Sequence, residues 1–92
     1  MTLHLIQKSP FSTSLLDDCL NVINDDDSII LMQDGVLACQ QPRLATLKNT
    51  IFALQDDLDA RGIQQTHKNV NAISYTRFVQ LCTECKNTVS WY

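Results

Sequence analysis

The stretch Ser28-Ile-Ile-Leu-Met-Gln-Asp-Gly-Val-Leu-Ala38 decides how the chain is read. Ile29 to Met32 is an unbroken apolar run. A strand wetted on one face alternates apolar and polar side chains. This one does not, so it suits a strand covered on both faces. Gln33-Asp34-Gly35 then breaks the run, and Gly35, free to take a positive φ, predicts a sharp turn where the strand ends. The stretch reads as the central strand of a small α/β sheet. Sites in such sheets lie beyond the carboxyl ends of the strands, which directs attention to the turn at Asp34 and Gly35.

On the amino side, Leu3 to Ile6 reads as a first strand, closed by Lys8-Ser9-Pro10 because proline cannot donate to a ladder. Ser12 or Ser14 is placed to cap a helix over residues 13–24. Leu15, Leu16, Cys19, Leu20 and Ile23 share one face of it, with Asp17, Asp18 and Asn21 opposite. Asp25-Asp26-Asp27 reads as a solvated loop. A hard-cation loop needs alternating ligands and a distant bidentate Glu, which this run lacks.

On the carboxyl side, Val36 to Gln40 starts a helical turn, Pro42 interrupts it, and Arg43 to Asn49 resumes it. Ile51 to Leu54 is a third strand, and Asp56 caps a helix over Asp57 to Arg61 with Gly62 at its C′ position. Gln64 to Asn69 is polar loop, Val70 to Ser74 a fourth strand, and Tyr75 to Cys85 a helix with Tyr75, Phe78, Val79, Cys82 and Cys85 along one side. Val89 to Tyr92 is the last strand, and Trp91 and Tyr92 form an aromatic pair that anchors either into the domain or into a neighbour. Strict alternation of strand and helix predicts a mostly parallel sheet of four or five strands between helical layers, as one domain over residues 1–92.

Ninety-two residues bury a modest core, and domains of this size often gain stability from partner subunits. The net charge is −3 and the seven Lys and Arg are scattered, so the chain lacks the clustered cations that hold phosphates, and direct nucleic-acid binding is not expected. Met1-Thr-Leu-His-Leu-Ile has no basic lead, and no apolar run approaches the roughly 20 residues that span a bilayer. A cytoplasmic, membrane-free protein is expected, with its four cysteines reduced.

Thiols are the only reactive groups the pattern offers. Cys82-x-x-Cys85 has redox or zinc spacing, but it falls near a helix C-terminus, where the dipole opposes thiolate. Cys19, Cys39, His4 and His67 form no second ligand pair, so neither metal nor cofactor is expected. Cys19 lies at the centre of an apolar stripe, and Cys39 lies just past the Asp34–Gly35 turn. His4, inside a strand, reads as packed; His67 reads as solvated. Gly35 and Gly62 are the only glycines, too few for a phosphate-cradling loop.

Several stretches together resemble the TusB/DsrH family of sulfur-relay proteins. They are Leu3-His4, Lys8-Ser9-Pro10-Phe11, Ile29 to Val36, Ala53-Leu54, Asp57-Leu58-x-Ala60-Arg61-Gly62, Tyr75-x-x-Phe78-Val79 and Trp91. The resemblance implies a compact three-layer α/β domain of the DsrE/DsrF-like type. It also implies a heterohexamer with TusC/DsrF-like and TusD/DsrE-like subunits. In the Tus branch such a complex passes persulfide sulfur from a TusA-like donor towards a TusE-like acceptor, for 2-thiolation of the tRNA wobble uridine. The Dsr branch serves sulfur oxidation. The principal carrier cysteine is implied for the TusD/DsrE-like partner, which makes this chain an accessory subunit. Cys19 falls where Dsr-branch members carry a first-helix cysteine, so the alternative is a persulfide carrier acting through Cys19. An alternative of another class is a thiol-disulfide or zinc protein using Cys82 and Cys85.

Overall fold

The computed structural model describes residues 1–91. Five strands, β1 (Thr2–Ile6), β2 (Ser28–Leu31), β3 (Thr50–Leu54), β4 (Val70–Ile73) and β5 (Asn87–Trp91), alternate with helical segments. These are α1 (Leu15–Val22), two 3₁₀ stretches (Gln33–Gln40 and Pro42–Thr46), α2 (Gln55–Ala60) and α3 (Tyr75–Glu84). The strands form one sheet in the order β4-β3-β2-β1-β5, and all four pairings are parallel. β2 is central, as its apolar run predicts, and all four of its residues are buried.

Alternate side chains divide the core in two. Ile6, Ile29, Leu31, Ile51 and Ala53 face α1, both 3₁₀ stretches and α2. Leu3, Ile30 and Leu54 face Phe78 and Leu81 of α3 and Cys85 at its C-terminal cap. The fold is therefore three-layered, but the layers are unequal. Helical segments crowd one face, whereas among the described residues α3 alone covers the other, where Leu5, Phe52 and Ile73 stay partly exposed. Fully buried residues such as Ile30 and Leu31 each contribute about 1.5–3 kcal/mol of burial free energy.

Local details correct several expectations. α1 begins two residues later than predicted, because the amides of Ser12 and Thr13 bond to the Ser9 carbonyl in a preceding turn. Ser14 holds the N-cap position, yet its hydroxyl donates to Asp18 Oδ2 at 3.2 Å instead of capping an amide. At the end of β2 the positive φ belongs to Gln33 (49°), not to Gly35. Gly35 is required for a different reason: a Cβ there would lie 2.0 Å from the Ile6 carbonyl oxygen. Glycine lets the first 3₁₀ stretch settle directly on the end of β1.

The helical path breaks at Pro42 as predicted: Gln41 before it is extended (φ −91°, ψ 127°), and Pro42 opens the second 3₁₀ stretch, a position where its fixed φ fits and its missing N–H costs nothing. α2 begins at Gln55, so Asp56 lies in its first turn and is not the cap. Its far end matches expectation. Gly62 takes φ 67°, its amide bonds to Asp59 O at 3.1 Å, and the Ile63 amide bonds to Leu58 O at 2.9 Å. This is a Schellman closure, and Leu58 and Ile63 pack in the same core. Ser74 caps α3 by accepting the Arg77 amide rather than ending β4. Tyr75 and Val79, expected on the packed side of α3, are exposed. β5 begins at Asn87, and the prediction for Tyr92 lies outside the described residues.

Candidate functional site

The four cysteines are free thiols distributed through the two halves of the core. Cys19 is 0% exposed, on the packed side of α1. Burial, aided by repulsion from the Asp27 carboxylate, pushes its thiol up to about 11. Cys39, buried in the first 3₁₀ stretch, is likewise raised to about 11 by burial. At neutral pH a thiol of that kind is thiolate about once in ten thousand molecules, and thiolate is the nucleophilic form. Burial also raises Cys85, which sits at the C-terminal cap of α3. Cys82 is half-buried beside it in the same core. Among the described residues, no cluster of three or more His, Cys, Asp or Glu side chains is arranged to hold a metal.

The amino end of the sheet holds a polar network that corrects the reading of Asp25-Asp26-Asp27 as solvated. Asp27 is 6% exposed. Its carboxylate accepts the Thr2 amide at 3.0 Å, the Asn24 amide at 3.2 Å and His4 Nε2 at 3.0 Å. The His4 hydrogen bond, with the two amides, holds Asp27 below the usual carboxylate range. The Trp91 indole N–H donates to His4 Nδ1 at 3.1 Å. Indole only donates, so Nδ1 is the acceptor and Nε2 carries the hydrogen given to Asp27. Asn49 completes the arrangement, donating to the carbonyls of Asn24 at 2.9 Å and Asp27 at 3.0 Å. His67, predicted to be solvated, bonds through Nε2 to the Gln41 carbonyl at 3.0 Å. Sequence spacing gives no sign of the His4–Asp27 pair. Only the parallel register that sets Leu3 beside Ser28 brings it together.

The carboxyl end carries a cleft of ≈ 260 Å³, lined by Met32, Gln33, Leu54, Asp56, Asp57 and Tyr75. It lies next to the predicted Asp34–Gly35 turn, but none of the four cysteines lines it. Asp34 is held by Arg61 through Nη2 at 2.9 Å and Nε at 3.1 Å. Asp57 Oδ2 accepts the Gln33 amide at 2.7 Å, which secures that residue's left-handed backbone. The cleft therefore offers carboxylates, an aromatic ring and apolar walls, without a nucleophile.

A family profile described as DsrH-like protein matches residues 8–88. The chain belongs to the TusB/DsrH family. Relatives named Protein TusB from Buchnera aphidicola subsp. Baizongia pistaciae and Enterobacter sp. are 33% and 34% identical, each comparison covering 97% of this chain and 99% of the relative. Among solved structures, protein Tm0979 from Thermotoga maritima superposes with a TM-score of 0.70 at 25% identity, covering 91% of this chain and 93% of that one. The ychN protein from E. coli superposes with a TM-score of 0.78 at 15% identity, covering 98% and 97%, a likeness of fold alone. The TusB/DsrH chain thus has the expected parallel three-layer fold, with its thiols inside the layers and its open cleft away from them.

Proposed function

We propose that this TusB/DsrH chain is a structural and binding subunit of a cytoplasmic sulfur-relay complex, rather than its sulfur carrier. In this reading it assembles with TusC/DsrF-like and TusD/DsrE-like subunits, two copies of each, as a heterohexamer. The complex takes persulfide sulfur from a TusA-like donor and passes it to a TusE-like acceptor for 2-thiolation of tRNA wobble uridine. In each transfer a carrier thiolate attacks the outer sulfur of the donor persulfide. A new S–S bond forms, the donor S–S bond breaks, and the donor leaves as thiolate.

The observation that carries the reading is the state of Cys19: it is enclosed in the core, and burial pushes its thiol up to about 11, the opposite of the accessible, low-pKa thiol that a sulfur carrier needs. The single-helix layer, with Leu5, Phe52 and Ile73 partly exposed, supports a chain that completes its burial in an assembly.

Co-expression with the two homologous subunits tests the assembly, and intact-mass analysis after incubation with a persulfide donor tests the roles. The expected result is one stable complex, with the sulfur adduct on a partner and transfer unchanged by Cys19→Ser. A chain that stays monomeric beside both partners would reject the assembly. An adduct on this chain that disappears in Cys19→Ser would instead assign it a DsrH-like carrier role in sulfur oxidation.

A further inference from the structure

The cleft at the carboxyl ends of β2 and β3 has the composition of a receptor for one organic cation. Met32 and Leu54 give it apolar walls, and Tyr75 gives it an aromatic ring that tilts against Phe78 at 5.7 Å between centroids yet stays 61% exposed. Asp56 and Asp57 place two carboxylates on its lining. Asp57 is partly engaged, by the Gln33 amide and by Arg61 Nη1 at 3.8 Å. The Asp56 carboxylate makes no hydrogen bond or ion pair among the described residues.

Carboxylates at a helix start also complement the helix's own positive end, and α2 and α3 both begin at this edge. Magnitudes decide whether that role uses up the charge. Each helix end is equivalent to about +0.5 of an elementary charge, so two ends offset about one carboxylate of the two. Asp34 and Arg61 cancel as an ion pair. About one negative charge is left over the cleft, beside an aromatic ring.

Size and shape narrow the occupant. At ≈ 260 Å³ the cleft falls below the roughly 300–1,000 Å³ typical of small-molecule pockets, and suits a single long side chain. Gln33, Asp56 and Tyr75 are all exposed at its rim, so an occupant can enter while attached to a larger surface. A divalent cation gains nothing from Met32, Leu54 or the ring. A guanidinium gains from every wall, because it is planar, weakly hydrated, stacks on aromatic faces and pairs with carboxylates.

We propose that this cleft receives an arginine side chain presented by a partner polypeptide, its guanidinium at Asp56 and Asp57, its flat face on Tyr75 and its methylene stem between Met32 and Leu54. The proposal stands on the cleft alone and does not depend on sulfur passing through the assembly.

The test is an amide-resolved NMR titration of the full chain at low salt with acetyl-Gly-Arg-Gly-amide, beside the same peptide carrying uncharged, near-isosteric citrulline. Saturable shifts concentrated at Gln33, Asp57 and Tyr75 are expected, with the citrulline peptide at least fivefold weaker. Asp56→Asn is expected to weaken arginine binding about fivefold, the size of one partly exposed charge contact. Tyr75→Leu removes the ring at an exposed position and weakens binding independently. Equal binding of both peptides would overturn the proposal. So would diffuse shifts over all acidic surfaces that persist in Asp56→Asn and Tyr75→Leu, or saturation of the same amides by magnesium with no response to the peptide.

Discussion

At the amino end of the sheet, Asp27 is 6% exposed and accepts two amides and His4. At the carboxyl end, Asp56 stands exposed in the first turn of α2 with no partner among the described residues. Both follow or precede a strand of the same parallel sheet, and both belong to short acidic runs that look alike as text. The difference is what register places opposite them. The amino end meets His4 and the start of β1, and it is closed and internally satisfied. The carboxyl end meets open space over Met32 and Leu54, and its charge is left for something outside the chain.

The largest effect is expected from Asp27→Ala, which strands three donors in a buried place. It should lower stability by about 3 kcal/mol, measured by urea denaturation, the upper end of what orphaned hydrogen-bond donors cost, because His4 is buried and the two amides are partly so. A cost under about 1 kcal/mol would erase the contrast between the ends. Gly35→Ala should follow at about 1–3 kcal/mol, because the new methyl meets backbone oxygen of Ile6 and not a movable side chain. That result would show the carboxyl edge to be tightly built where β1 ends, even though the cleft at the ends of β2 and β3 is open.

Acid sharpens the comparison from the other direction. Asp27 is held below its ordinary value of 3.8, so its contribution is fully present above that pH and is lost as pH falls through the lowered value. A stability profile taken from pH 5 downward should decline, and Asp27→Asn should flatten that decline. The smallest effect belongs to Asp56→Asn. It should change stability in urea by no more than surface substitutions do, within about 0.5 kcal/mol, because the exposed carboxylate's only support within the described residues is the weak field at the start of α2.

The sequence was most readable where structure is decided locally. Ile29 to Met32 announced a strand covered on both faces, the spacing of Leu16 and Cys19 gave the buried side of α1, and Gly62 marked the end of α2. It was least readable where strands far apart in the chain are brought together. Local pattern marks Gly35 as a turn residue, but the need for glycine there comes from the backbone of Ile6, which no local pattern contains. Asp27 looked like its exposed neighbours, because its partner lies 23 positions away. Sequence points beyond β2 to the turn at Asp34 and Gly35, but the cleft beside it is not legible there, since Leu54 and Tyr75 reach it from other elements. Tyr75 and Val79 read as core by residue type, but α3, the one helix over its face among the described residues, keeps a wet side that residue type does not reveal.

The pairing of β5 with β1 has a consequence for how the molecule is made. His4 and Trp91 are separated by 87 positions, yet they bond across neighbouring strands. During synthesis, β1 can recruit β2 early, but its other edge stays vacant until residues 87–91 have left the ribosome. For most of translation the nascent chain therefore exposes an open strand edge, the feature that templates wrong pairings and slows closure of long-range contacts. Whatever shields that edge in the interval keeps β1 available for β5.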